Sequence, residues 1–264
     1  MTHFIRSGHG PEDGLLLHCM LADARALDGM CAKLAGHLTS LSMDLPGHGQ
    51  SEDWDRARDF GDMTCYMALG LLDRPAHVIG HSYGGYAALR LAVDHPEMVR
   101  SLTLIEPVFF AAAKHGDPVA FKAYEKAARP MVGAISVGDL TSAARSFTGQ
   151  WGTGRPWESL KPAEMDYITQ RMPLVAATDA GLRRDTGKVY DRLTELQIPT
   201  LIIRGAQSPE IMKVICETLA GQIPAAEYRT VEDAGHMVAV TRPADVADLI
   251  ATFIDAQPRS SDIS

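Results

Sequence analysis

Apolar residues along this chain follow two alternating periods. Leu15, Leu16 and Leu17 form a short continuous run that ends at His18. Leu27, Met30, Cys31 and Leu34 then recur at helical spacing, and a second apolar run covers Leu38 to Met43. Short continuous runs predict buried strands, and i, i+3, i+4, i+7 spacing predicts helices with one face turned to a core. The segment therefore reads strand, helix, strand. The same pattern resumes with Phe60, Met63, Met67 and Leu71 on one helical face. It continues with a strand over His77 to Gly80, a helix from about Tyr83 to Asp94 and a strand from Leu102 to Ile105. Repeated strand–helix units predict an α/β fold with a mostly parallel sheet and helices on both faces.

The pattern breaks at residue 107. Residues 107–196 hold alanine-rich helical pieces interrupted by Gly and Pro, with no clear strand and with a helix predicted to open near Pro162 and end before Pro173. Strand–helix alternation then returns: a strand at Thr200 to Ile203, a helix from about Pro209 to Ala220, a strand near Glu227 to Val231, and a last helix carrying Val246, Leu249, Ile250 and Phe253. Residues 1–106 and 197–264 thus read as one core, interrupted by an insertion over 107–196. Residues 257–264 read as a frayed tail, and no internal repeat is present.

Composition narrows the class. At 264 residues and 46% hydrophobic content, the chain can bury a sizeable core. A formal net charge of -8 argues against nucleic acid as a partner, because phosphate recognition needs a basic face. The N-terminus carries no basic start followed by an apolar run and a small-residue cleavage site, and no apolar stretch approaches the ~20 residues of a membrane helix, so a cytoplasmic protein with no membrane partner is expected. Cys19, Cys31, Cys65 and Cys216 are scattered without a CxxC pair, which predicts free, buried thiols and no metal site.

Chemistry concentrates at Gly80-His-Ser82-Tyr-Gly84, a G-x-S-x-G match that follows a predicted strand and opens a predicted helix. A sharp strand-to-helix turn forces the serine into strained dihedrals, and flanking glycines let other backbone come close without a Cβ in the way. Ser82 then sits at a helix N-terminus, where the dipole favours developing negative charge. A serine hydroxyl needs a base within hydrogen-bond reach. His236, in Asp233-Ala-Gly-His236 between the last strand and the last helix, fits that role.

Leu15-Leu-Leu-His18, Asp44-Leu-Pro-Gly-His-Gly-Gln-Ser51, Gly80-His-Ser-Tyr-Gly-Gly85 and Ala234-Gly-His236 occur in the order seen in α/β-hydrolases, and the chain resembles that family over nearly all of its length outside the insertion. The resemblance implies a nucleophile at Ser82, a base at His236 and an oxyanion hole from the backbone N–H groups of Tyr83 and Met20. It makes His48 structural, and the insertion a helical cap whose Phe109, Phe110, Phe147, Trp151, Trp157, Met165 and Tyr167 are candidate substrate-pocket residues. Two departures stand out. Cys19 replaces the usual glycine of the oxyanion loop and is strained if that position needs positive φ. Ser208 occupies the usual place of the triad aspartate in Gly205-Ala-Gln-Ser208-Pro209-Glu210. Some relatives carry the acid at the end of the strand after the elbow helix, where this chain has Glu106, with Pro107 predicting extended backbone at Glu106. Glu106 is the expected acid, with Glu210 as the alternative and Asp233 behind it.

These residues predict a serine hydrolase that cleaves a small-molecule ester, thioester or lactone through an acyl-enzyme, without a cofactor. The modest size of the insertion favours a small apolar or aromatic acyl group. The same residues are also compatible with a carbon–carbon bond hydrolase with the same triad, a non-catalytic ligand-binding or sensing homologue, and a cofactor-free oxygenase or perhydrolase. The sequence leaves the oligomeric state open.

Overall fold

The computed structural model describes residues 1–224 and 226–258. Most of the tail expected from residue 257 onward lies outside the described residues. The strands are β1 (Phe4–Gly8), β2 (Glu12–Leu17), β3 (Leu38–Met43), β4 (Ala76–His81), β5 (Val99–Ile105), β6 (Thr200–Gly205) and β7 (Ala226–Val231). The helices are α1 (Asp28–Leu34), α2 (Phe60–Leu69), α3 (Tyr83–Asp94), α4 (Phe110–Gly116), α5 (Pro118–Ser136), α6 (Leu140–Trp151), α7 (Pro162–Ala177), α8 (Asp179–Arg184), α9 (Glu210–Gln222), α10 (Val238–Thr241) and α11 (Pro243–Asp255). The strands form one sheet in the order β1-β3-β2-β4-β5-β6-β7, parallel throughout except at the β1 edge.

Alternation along each strand sorts the core into two layers. Leu15, Leu17, Val78, Leu102, Leu104 and Ile202 pack on the face covered by α2, α3 and α9. Leu16, Ile79, Ile105, Leu201 and Ile203 pack on the opposite face with α1 and α11. All six residues of the central strand β4 are buried, and full burial of each aliphatic side chain there is worth about 1.5–3 kcal/mol. Sheet and helix meet closely where α3 crosses β2: a Cβ at Gly84 would lie 2.1 Å from the carbonyl oxygen of Leu17, so any side chain there would push the helix off the sheet.

The edge strand β1 escaped the sequence reading. Its five residues are alternately exposed and half-buried, too weak a pattern to separate from loop, and antiparallel pairing with β3 is what makes it a strand.

Five helices, α4 to α8, lie between β5 and β6. Of these, α4 packs on α9, while α5, α6 and α7 pack on one another. The helix expected to stop before Pro173 instead runs through it to Ala177. Tertiary contacts on α7 override the lost backbone hydrogen bond. The Tyr167 hydroxyl donates to the Ala22 carbonyl at 2.8 Å, Arg171 Nε donates to the Gly47 carbonyl at 2.9 Å, and Met172 is fully buried. Among the described residues no helix is long and apolar enough to cross a membrane.

Candidate active site

The carboxyl ends of β2, β4, β5, β6 and β7 converge on one edge of the sheet, and the chemically active side chains come from the turns that follow them. Ser82 joins β4 to α3 at φ 58, ψ -116, a conformation close to glycine-only territory. Three backbone hydrogen bonds hold it there: Ser82 N–H donates to the Ile105 carbonyl at 2.9 Å, and the Ser82 carbonyl accepts from Tyr86 at 3.2 Å and Val108 at 3.4 Å. The flanking glycine is sterically required, since a Cβ at Gly80 would lie 2.0 Å from the Gly84 carbonyl oxygen.

His236 Nε2 lies 2.9 Å from Ser82 Oγ, and His236 Nδ1 lies 2.9 Å from Glu106 Oε2. Glu106 is fully buried, and its second oxygen, Oε1, accepts from the Gly205 N–H and from the Ser208 hydroxyl, each at 2.7 Å. Ser208 therefore does not hold the imidazole itself but donates to the carboxylate that does. Glu210 and Asp233 lie on exposed surface, Glu210 at the start of α9 and Asp233 before His236. The extended backbone expected at Glu106 is not found: its φ is +50. Its N–H donates to the Ile203 carbonyl at 2.8 Å, extending the β5–β6 ladder by one residue, and the chain turns away at that point.

The loop after β2 is braced by two buried histidines. His18 Nδ1 donates to the Cys19 carbonyl at 2.7 Å, and its Nε2 accepts from Leu45 N–H at 3.0 Å. His48 Nδ1 donates to the Pro46 carbonyl at 2.9 Å, and its Nε2 accepts from Leu21 N–H at 3.1 Å. Burial lowers the pKa of both rings, that of His48 to about 3, so each is a neutral brace with both ring nitrogens engaged. The positive φ feared at Cys19 falls instead on Leu21, at 63, the residue His48 holds. Cys19 is nearly buried, and desolvation pushes its thiol up to about 12. Met20 and Tyr83 stand beside Ser82, and no acceptor among the described residues takes either backbone N–H.

Above Ser82 opens a cavity of about 380 Å³. Phe110, Phe147 and Trp151 line it with Val108, Met131 and Leu182. Phe109 does not; it is fully buried beneath, with its ring 5.4 Å from that of Tyr86. Trp157, Met165 and Tyr167 also lie outside it, Tyr167 because its hydroxyl ties α7 to the loop after β2. The Trp151 ring meets the His236 imidazole edge-on at 4.8 Å, which shields the imidazole from solvent.

The family model described as the alpha/beta hydrolase family matches residues 15–249. The chain belongs to the alpha/beta hydrolase family. Relatives include the dihydrolipoyllysine-residue acetyltransferase component of the acetoin cleaving system of Cupriavidus necator, 27% identical over 94% of this chain; the chain spans only 65% of that protein. A pimeloyl-[acyl-carrier protein] methyl ester esterase of Aeromonas hydrophila is 25% identical over 94% of this chain and 97% of its own. Among solved structures, the enol-lactonase of Burkholderia xenovorans LB400 superposes with a TM-score of 0.72 at 20% identity, over 96% of each chain.

In this member of the family the arrangement can do one thing well. A neutral imidazole with Nδ1–H held by a carboxylate presents its Nε2 lone pair to a serine hydroxyl, and that geometry suits proton abstraction during attack on a carbonyl. Among the described residues no three His, Cys, Asp or Glu side chains gather as metal ligands. His81 is assigned no role from the sequence. Its Nε2 donates to the backbone carbonyl of His236 at 2.9 Å, across 155 positions of sequence, and its ring is fully buried. Its place inside the Gly80–Gly84 turn was the available signal, because the residue before the nucleophile is carried to the same edge as the base.

Proposed function

We propose that this enzyme is a serine hydrolase that cleaves a small-molecule ester, thioester or lactone in two steps. His236 takes the proton of Ser82 as Oγ attacks the carbonyl. The negative charge that develops on the carbonyl oxygen is accepted by the N–H groups of Met20 and Tyr83, worth several kcal/mol in a dry site. His236 then protonates the leaving group, and water, activated by the same imidazole, releases the acyl group and restores Ser82. Glu106 keeps the proton on Nδ1 and offsets the charge of the imidazolium.

The unbroken line from Ser82 Oγ through His236 to Glu106, with both contacts at 2.9 Å, carries this reading. The Aeromonas relative, named as a methyl ester esterase, agrees with it. Residues 107–196 act as the cap that encloses the acyl group, with Phe110, Phe147 and Trp151 as its walls. A cytoplasmic setting suits the four cysteines, each free and buried.

Intact-protein mass spectrometry after exposure to a fluorophosphonate tests the assignment. One adduct per wild-type chain is expected, with none on Ser82→Ala and a strongly slowed reaction on His236→Ala. A wild type that takes no label would overturn it.

A further inference from the structure

The cavity above Ser82 is apolar along most of its wall, yet one guanidinium lines it. Among the described residues that line it Arg183, on α8, is the one cation. Its side chain is 18% exposed, and its Nε pairs with Asp179 at 3.2 Å. Asp179 is shared, because its other oxygen lies 3.6 Å from Arg184 Nε. Asp179 lines the cavity too, so the wall holds one guanidinium and one carboxylate; because Arg184, exposed and outside the cavity, draws on the same carboxylate, Asp179 neutralises Arg183 only in part, and among the described residues no other carboxylate lies within ion-pair distance of Arg183.

Aromatic rings connect this charge to the site. Trp151 touches His236, and its ring lies 6.1 Å from Tyr124 and 6.2 Å from Phe110. Tyr124 and Phe110 stack at 4.4 Å, and the Arg183 guanidinium stands 5.3 Å and 5.8 Å from their ring centres. The rings fix the guanidinium plane by cation–π attraction. An apolar corridor that begins at a nucleophile and ends in a fixed planar fork matches a particular ligand: an aliphatic chain with a carboxylate at its far end.

We propose that Arg183 is the anion-binding end of the acyl pocket, and that the enzyme takes acyl groups with a terminal carboxylate on a short apolar chain. The inference rests on Ser82 as the acylated residue. It keeps the apolar walls expected for a small acyl group and adds a charge at their far end.

Calorimetric titration of the Ser82→Ala variant with monomethyl adipate and with methyl hexanoate separates the two readings, because binding there needs no turnover. The adipate monoester is expected to bind about tenfold to a hundredfold more tightly, the range for a hydrogen bond to a charged group. Arg183→Met in the same background is expected to abolish that preference and leave methyl hexanoate within about threefold. Should the methionine variant fail to fold, Arg183→Lys keeps the charge without the fork, and a reduced but surviving preference is expected. Equal affinity of Ser82→Ala for the two esters, or an undiminished preference in the Arg183 variants, overturns the subsite. Hydrolysis of both esters by the wild type without preference also overturns the subsite while sparing the serine mechanism. Tight adipate binding without hydrolysis or fluorophosphonate labelling keeps the subsite and overturns the mechanism.

Discussion

Replacing Glu106 by glutamine removes a charge and forces a choice between two amide orientations. Oε1 of Glu106 accepts from the Gly205 N–H and from the Ser208 hydroxyl, both at 2.7 Å, while Oε2 faces His236 Nδ1. The serine hydroxyl can rotate to accept, but the backbone N–H of Gly205 cannot. Turning the amide NH2 toward Gly205 would set two donors against each other in a buried site, at a cost of about 1–3 kcal/mol. The amide oxygen therefore stays on Gly205, and the NH2 group points at His236. Nδ1 must then accept, which moves the imidazole proton to Nε2 and leaves no lone pair facing Ser82. A triad with its base locked in the wrong tautomer loses about four orders of magnitude in kcat. Initial rates on a p-nitrophenyl ester, with the thermal midpoint as a check on folding, measure this. Glu210→Gln, at an exposed site, is expected to change kcat by less than about threefold. A folded Glu106→Gln enzyme within tenfold of wild type, or a larger loss in Glu210→Gln, would refute the tautomer argument.

Three further outcomes follow from the buried groups. His81→Leu leaves the His236 carbonyl without its donor and is expected to slow fluorophosphonate labelling about tenfold to a hundredfold, with His81→Gln recovering most of the rate; labelling of the leucine variant at the wild-type rate would show that His81 only packs. Cys19, nearly buried with its thiol pushed up to about 12, is expected to resist iodoacetamide in the native enzyme and react only on unfolding, as peptide mapping would reveal. Burial lowers His48 and His81 to about 3 and His77 to about 4, and also depresses His18. The unfolded chain binds protons at these positions below about pH 6.5 and the native one does not, so stability rises with pH through this window and is lost as pH falls from about 6.5 toward 4. Urea midpoints between pH 7 and pH 5 check this; a midpoint independent of pH there would mean that these rings are protonated in the native state.

The sequence by itself determined the order of the six parallel strands and of the main helices that cover them, because buried strands of a parallel sheet leave apolar runs and the covering helices leave a helical period. It also singled out Ser82, the glycine-flanked serine between strand and helix, and His236, the histidine after the last strand, which the fold brings within 2.9 Å of each other. Tertiary structure decided what depends on contacts between distant segments. The β1 strand exists through its pairing with β3, and α7 runs through Pro173 because Tyr167 and Arg171 anchor it to loops more than a hundred residues earlier. Only the fold brings Glu106, and not Glu210, to His236, and only the fold turns Ser208 into a donor for that carboxylate. Phe109 went to the core and Phe110 to the cavity, because Phe109 is the non-helical residue before α4 and Phe110 opens the helix, so the two adjacent side chains face different ways. Local pattern encodes which residues are buried and when the chain must turn. Which side chains meet is encoded in the packing of the whole sheet.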